Sequence, residues 1–438
     1  LGASLTSTGA NNAITLSASR NINSTAINLA VTSNGGNILF ASNTSGSGGS
    51  INLSRFGITS AGGNVTLGGG SDGLSYSVGN AADTNVPSNV NQSKYKGVWL
   101  NAVTINAEGS STGGNISIKG RGWQGANQNN DGADFFAIGI DIVGYDAGTI
   151  IRTNNAGSIT LDGSGGINYD LQTHSVGINF YHGSVTSNYI YTTSGDISIT
   201  GSAGTGTARL RAGINSDSGS HFIYSNSGNV TLKGTGIATE SSTAKAILVT
   251  GGTIYAGWNN SSTVTSGNVV IQGDSLSIAS GAALNIKSTG ALTIEPTSTS
   301  FTSAFSWPLD RLTFASLTGL TIGKDGNTAN VTISSTTTVA GPVVIYGGDI
   351  AINSALTATN STITLKSSGN VTDGASGYIV GANLLVLGGN ITLDNAANNA
   401  ISTIAATGVG GLTYFDKDAL TVGTVATTNG ISASGVIS

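Results

Sequence analysis

The sequence predicts an all-β fold, a parallel β-helix (solenoid) of roughly 18–22 coils with short loop excursions, and three observations carry that expectation. The first is one phrase written five times: a Gly, a polar turn residue, then alternating apolar and polar residues. It occupies Gly114–Ile118, Gly157–Leu161, Gly195–Ile199, Gly228–Leu232 and Gly267–Ile271. Alternation at period 2 marks each copy as a strand with one apolar face. The second is another phrase roughly midway between those anchors: Gly97-Val98-Trp99, Gly139-Ile140-Asp141, Gly177-Ile178-Asn179, Gly213-Ile214-Asn215 and Ala246-Ile247-Leu248. Anchors recur every 33 to 43 residues, so the structural unit is about half that period, and a coil of about 17 to 24 residues is expected. The third is composition. Charged residues make up 8% of the 438, apolar residues 38%, and the formal charge is -5, which excludes the low-hydrophobicity, high-charge signature of disorder. With 66 Gly against 4 Pro, the chain is rich in positive-φ corner residues and poor in the residue that cannot donate to a ladder. No window shows sustained helical periodicity.

Taken in order, residues 1–70 carry the pattern compactly, in Ala13–Leu16, Ala26–Leu29, Gly36–Phe40, Ser50–Leu53 and Gly63–Leu67. Residues 71–96 break the rhythm and read as a loop leaving the wall, as does the stretch from Gly122 to Phe136. From Leu276 the step shortens to eight residues, at Leu276, Leu284 and Leu292, then at Leu312 and Leu320. Three such steps imply a three-sided coil. Two regions result: 1–275 with long two-coil repeats and loop excursions, and 276–438 with eight-residue strand steps, the aromatic stretch Phe301–Asp310 lying within the second. Neither end carries the charges, Pro or helix that blunts an exposed sheet edge, so both are expected to continue into further β-helix, in one polypeptide or by stacking of chains.

The anchors, together with Gly319-Leu320-Thr321-Ile322-Gly323 and the run Val339–Asn353, resemble the repeat regions of filamentous haemagglutinin-like exoproteins of two-partner secretion systems. The resemblance covers nearly the whole chain and implies a right-handed parallel β-helix. It further implies export through an outer-membrane transporter partner, a secreted, cell-surface or extracellular filament location, and work as a structural shaft in adhesion, matrix or biofilm cohesion. The family's N-terminal secretion domain is missing here, so the chain corresponds to part of a shaft. Host or matrix glycans, neighbouring cells and end-to-end or lateral self-association are the partners that follow.

An enzyme on the same fold, a polysaccharide lyase or hydrolase, is the alternative. Such sites need paired carboxylates, or acids holding Ca²⁺ beside an Arg base. The candidates are Asp131, Asp134, Asp141 and Asp146 with Arg121 and Arg152, and none forms a motif of that chemistry. The expectation is therefore no catalysis, no cofactor and no metal. His174, His182 and His221 lack the spacing that places two imidazoles on one face. Asn127-x-Asn129-x-Asp131-Gly132 imitates the start of a Ca²⁺ loop, but Ile138 stands where its bidentate Glu belongs. Sequons at Asn64, Asn115, Asn229, Asn330, Asn370 and Asn390 read as corner Asn followed by an outward Ser or Thr. Scattered single Lys and Arg exclude a nucleic-acid footprint. No cysteine and no apolar run long enough to span a bilayer is present. Aromatic residues between the anchors are the functional lead, with Trp123, Tyr145, Tyr181, Tyr191 and Trp258 as glycan or lateral contacts.

Overall fold

The architecture comes from a computed structural model, which describes every residue except 47, 80–94, 125–135, 169–173, 184–186, 237–243, 260–264 and 396–397. Among the described residues there are only strands, turns and bends, and all long sheets are parallel. The fold is a parallel β-helix. By contact it divides into two units: residues 1–267 with 276–287, and residues 268–275 with 288–438.

In the first unit, three sheets take one strand each from successive coils. The anchors form the first sheet, in the register Ile14, Ile38, Val65, Ile116, Ile159, Ile197, Val230. The second phrases form the second, in the register Ile22, Ile51, Val98, Ile140, Ile178, Ile214, Ile247, Leu276. A third sheet follows, in which Val31, Ile58, Ile105, Ile151, Ile190 and Ile223 align. Apart from Ile14 and Leu276, which are partly buried, the members of each column are buried, and each such side chain contributes about 1.5–3 kcal/mol relative to exposure.

That register corrects the expected coil length. Each anchor pairs with the next anchor, so the full 33 to 43 residues make one coil and the second phrase is another side of the same coil. The apolar run marks a side of the cross-section, and similar phrases on two sides imitate a repeat of half the length. Among the described residues nine strands stack in succession on the third sheet of the first unit and seven, from Val269–Gln272 to Ala400–Val409, on the main sheet of the second, fewer than the 18–22 coils expected.

The glycines also work differently from expectation. Those at the anchors are absent from the positive-φ residues. A Cβ at Gly195 would lie 1.9 Å from the Gly157 carbonyl oxygen of the neighbouring coil. Corner backbones stack too closely for any side chain, which is a packing demand rather than a conformational one. Where the first sheet turns into the second, Gly163 and Gly177 meet in the same way, a Cβ on Gly163 falling 2.2 Å from the Gly177 oxygen.

In the second unit the coil contracts to about 20 residues, with Val343, Ile363, Leu384 and Ile404 in one register and Val331, Ile350, Val371, Ile391 and Leu412 in another. Trp307, from the aromatic stretch, is fully buried and donates Nε1–H to Thr337 Oγ1 at 3.0 Å. A short antiparallel hairpin, Thr424–Val425 with Thr428–Asn429, seats Val425 against Leu385 and Ala405. Sequence periodicity did not foresee this hairpin. Val422, Val436 and Ile437 stay exposed beside it.

Candidate functional site

On the second sheet of the first unit, period-2 alternation turns Ile inward and the next residue outward, so identical register stacks Trp99, Asp141, Asn179, Asn215 and Leu248 in one outer column. The polar members bond along the axis. Asn215 Nδ2 donates to Asn179 Oδ1 at 2.7 Å, and Asn179 Nδ2 donates to Asp141 Oδ1 at 2.8 Å. From the other side Lys96 Nζ donates to Asp141 Oδ2 at 2.5 Å. Lys96, Asp141, Asn179 and Asn215 are all buried although they face away from the core. The Lys96 ammonium also lies 5.8 Å from the ring centroids of both Trp99 and Phe136, within cation–π range.

A cleft of about 230 Å³ opens beside this ladder, lined by Lys96, Asp141 and Asn179 together with Tyr145, Tyr181 and Asp217. A second depression of about 450 Å³ shares His174 and Asp217 with it and adds Arg209, Lys245 and Thr250. The two form a groove crossing several coils. Tyr145 is 43% exposed and its ring tilts against Tyr181 at 5.5 Å. Its phenol is pushed up to about 12, first by partial burial and then by the charge of Asp141 and by Tyr181.

The five aromatic candidates end up in three places. Tyr145 and Tyr181 share the cleft. Tyr191 sits on the outer face of the third sheet, stacked on Tyr224 at 5.1 Å and 1°, and its hydroxyl accepts from Arg152 Nη1 at 3.1 Å. Beside it runs a column of Tyr189, Phe222 and Tyr255, at 5.0 and 4.7 Å and within 11° of parallel. Trp258 leans on Tyr255 at 4.8 Å, with the Lys287 ammonium 5.8 Å from its ring. Coil spacing stacks these rings face to face, so Phe222 has both faces covered. A saccharide needs an open ring face, which the cleft tyrosines offer better than the columns. Trp123 stands apart, edge-on to Tyr95.

The acidic candidates do not converge. Asp141 is held by Lys96, Asp146 pairs with Arg55, and Arg152 with Glu108. Arg121 lies over the Tyr76 ring. Asp131, Asp134 and the Ca²⁺-loop imitation at Asn127, Asn129 and Gly132 lie outside the described residues. Of the histidines, His174 packs its ring on Phe136 in the groove, 4.8 Å between centroids. His182 ends a strand, where its backbone N–H bonds Ser218 Oγ. His221 faces inward and is fully buried, and its imidazole is lowered to about 3, chiefly by that burial. Among the described residues no three His, Cys, Asp or Glu group as metal ligands.

Sequence reasoning missed Lys96, which it placed in a loop, and the reason Asn recurs at the corners. Asn64 Oδ1 accepts from the N–H of Asn115, and Asn115 Oδ1 from the N–H of Ser158. Each of these two Asn satisfies a backbone donor of the neighbouring coil. None of these residues has positive φ, so the role is acceptor geometry rather than a left-handed turn. No family model, curated protein or solved structure matches this chain.

Proposed function

We propose that the chain is a length of the structural shaft of a secreted, cell-surface adhesin or extracellular-matrix fibre, exported through an outer-membrane transporter and carrying a saccharide-contact cleft at Tyr145 and Tyr181. The observation that supports it is the in-register stacking of nine strands in one sheet of the first unit and seven in one sheet of the second, each with a continuous apolar column. Such stacking adds length at constant cross-section, and outward polar groups such as Asn64, Asn115 and Asn179 bond from coil to coil. The test is deletion of this segment in the native protein, followed by imaging of surface filaments and counting of attached cells. Unchanged filaments and unchanged attachment would remove the reading.

The groove favours one second reading, a carbohydrate-active enzyme, because it sets Asp217, His174 and two tyrosines together. Incubation with a polysaccharide panel decides between them. Release of reducing or unsaturated ends by the wild type, lost in Asp217→Asn, would replace the shaft reading with the enzyme.

A further inference from the structure

The buried ladder contains every group that an amide-transfer reaction requires, in order along the axis. Lys96 supplies an amine, and Asn179 a primary carboxamide. Asp141 bridges them, one oxygen on Nζ at 2.5 Å and the other on Asn179 Nδ2 at 2.8 Å. Asn215 Nδ2 donates to Asn179 Oδ1 at 2.7 Å, where negative charge would develop. All four are at least nine-tenths buried, and Trp99 and Phe136 flank the amine. An ordinary surface ion pair needs none of this.

We propose that Lys96 and Asn179 join in an intramolecular isopeptide bond, with Asp141 as the proton relay. This inference stands apart from the adhesin reading. Asp141 takes a proton from the Lys96 ammonium, and the freed amine pivots about the carboxylate to attack Asn179 Cγ. The tetrahedral oxyanion on Oδ1 is held by the Asn215 amide. Asp141 then gives its proton to Nδ2 and accepts the second proton of the attacking nitrogen. The Cγ–Nδ2 bond breaks as the Oδ1 charge reforms the carbonyl, the Nζ–Cγ bond remains, and the departing ammonia takes from Asp141 the proton it has just accepted, leaving as ammonium with the charge that lysine brought and Asp141 a carboxylate again. No oxidant, metal or other reactant enters. One carboxylate between amine and leaving group serves as both base and acid, and preorganisation substitutes for a second enzyme. The product ties the coil of Trp99 to the coil of Asn179 in a chain without cysteine.

The experiment is the intact mass of the denatured wild-type chain, followed by proteolysis and fragment sequencing. The expected result is a chain lighter than its sequence by one ammonia, with a branched fragment joining Lys96 to Asn179. Lys96→Arg and Asp141→Ala should both show their full sequence masses. An unchanged wild-type mass would reduce the ladder to hydrogen bonds and an ion pair, overturning the proposal. Loss of one water, joining Lys96 to Asp141, would overturn the assignment of Asn179. Loss of ammonia without a branched fragment would mean a cyclised Asn elsewhere, and would overturn it as well. A branch persisting in Asp141→Ala would remove the relay. Because the wild-type mass decides first, the proposal stays testable even where a variant fails to fold.

Discussion

His221 gives the sharpest test of the core. Its ring is buried, tilted against Phe180 with 5.3 Å between ring centroids, with Nδ1 at 3.2 Å from the Asn188 amide. Burial lowers its folded value to about 3, against 6.5 for the free imidazole, partly opposed by a hydrogen bond involving Ser218. The folded state therefore holds the neutral ring while the opened state takes up a proton. Stability from this group is complete above pH 6.5, falls as the pH drops below it, and levels off near pH 3. At pH 4.5, two units below the free value, the loss is about 2.7 kcal/mol, or roughly 100-fold in the local opening constant. Amide exchange at Phe222 and Ile223, expressed as protection factors, reads that constant directly. Carboxylates titrate in the same range, so the comparison is with His221→Leu, which keeps an apolar side chain beside Ile254 in the same column. Wild-type protection should fall roughly 100-fold more between pH 7 and pH 4.5 than protection in the variant. Parallel losses in the two proteins would show that His221 is not held neutral by the core.

Three further outcomes follow from the wall. Asn115→Ala removes the acceptor for the Ser158 N–H and should cost about 1 kcal/mol, seen as a lowered melting temperature, whereas Asn115→Asp should cost almost nothing. Gly195→Ala forces a methyl against the Gly157 carbonyl and should cost about 3 kcal/mol, enough to reduce the soluble yield. Tyr145→Ala should weaken saccharide binding in a glycan titration by about 1 kcal/mol, while Tyr224→Ala, stacked on Tyr191 on the third sheet and outside the cleft, should leave it unchanged.

The strands were legible because burial imposes period 2 on Ile, Val and Leu, and a one-residue slip would turn every such side chain outward. Coil length was not, because the strands of one coil obey the same rule on each side of the cross-section. Only pairing distinguishes Ile116 followed by Ile159 in one sheet from Ile140 in another. The site was half legible. Asp141, Asn179 and Asn215 occupied the same position of the second phrase and could have been aligned from the text alone. Lys96 could not, since it precedes the strand and reaches Asp141 across 45 residues of sequence. The aromatic candidates show a similar limit: composition counts rings, but whether a ring offers its face depends on what the adjoining coil places beside it.

The direction of the ladder explains why its end member is an aspartate. An asparagine amide donates through nitrogen and accepts through oxygen, so a column of them passes one bond per coil and must terminate on a group that only accepts. Asn215 donates to Asn179, and Asn179 donates to Asp141. Lys96, a donor only, reaches the same carboxylate from the opposite side. Asparagine at 141 would have to meet Asn179 and Lys96 with one oxygen and would leave the ammonium buried without a counter-charge. In the chain before Lys96 and Asn179 are joined, Asp141→Asn should therefore cost about 3–5 kcal/mol, the range for breaking a buried pair from one side. Exchange protection at Ile140 and Ile142, which flank the position on the same strand, would carry the loss. Protection equal to the wild type would mean that solvent reaches the lysine and that the ladder does not terminate as its geometry requires.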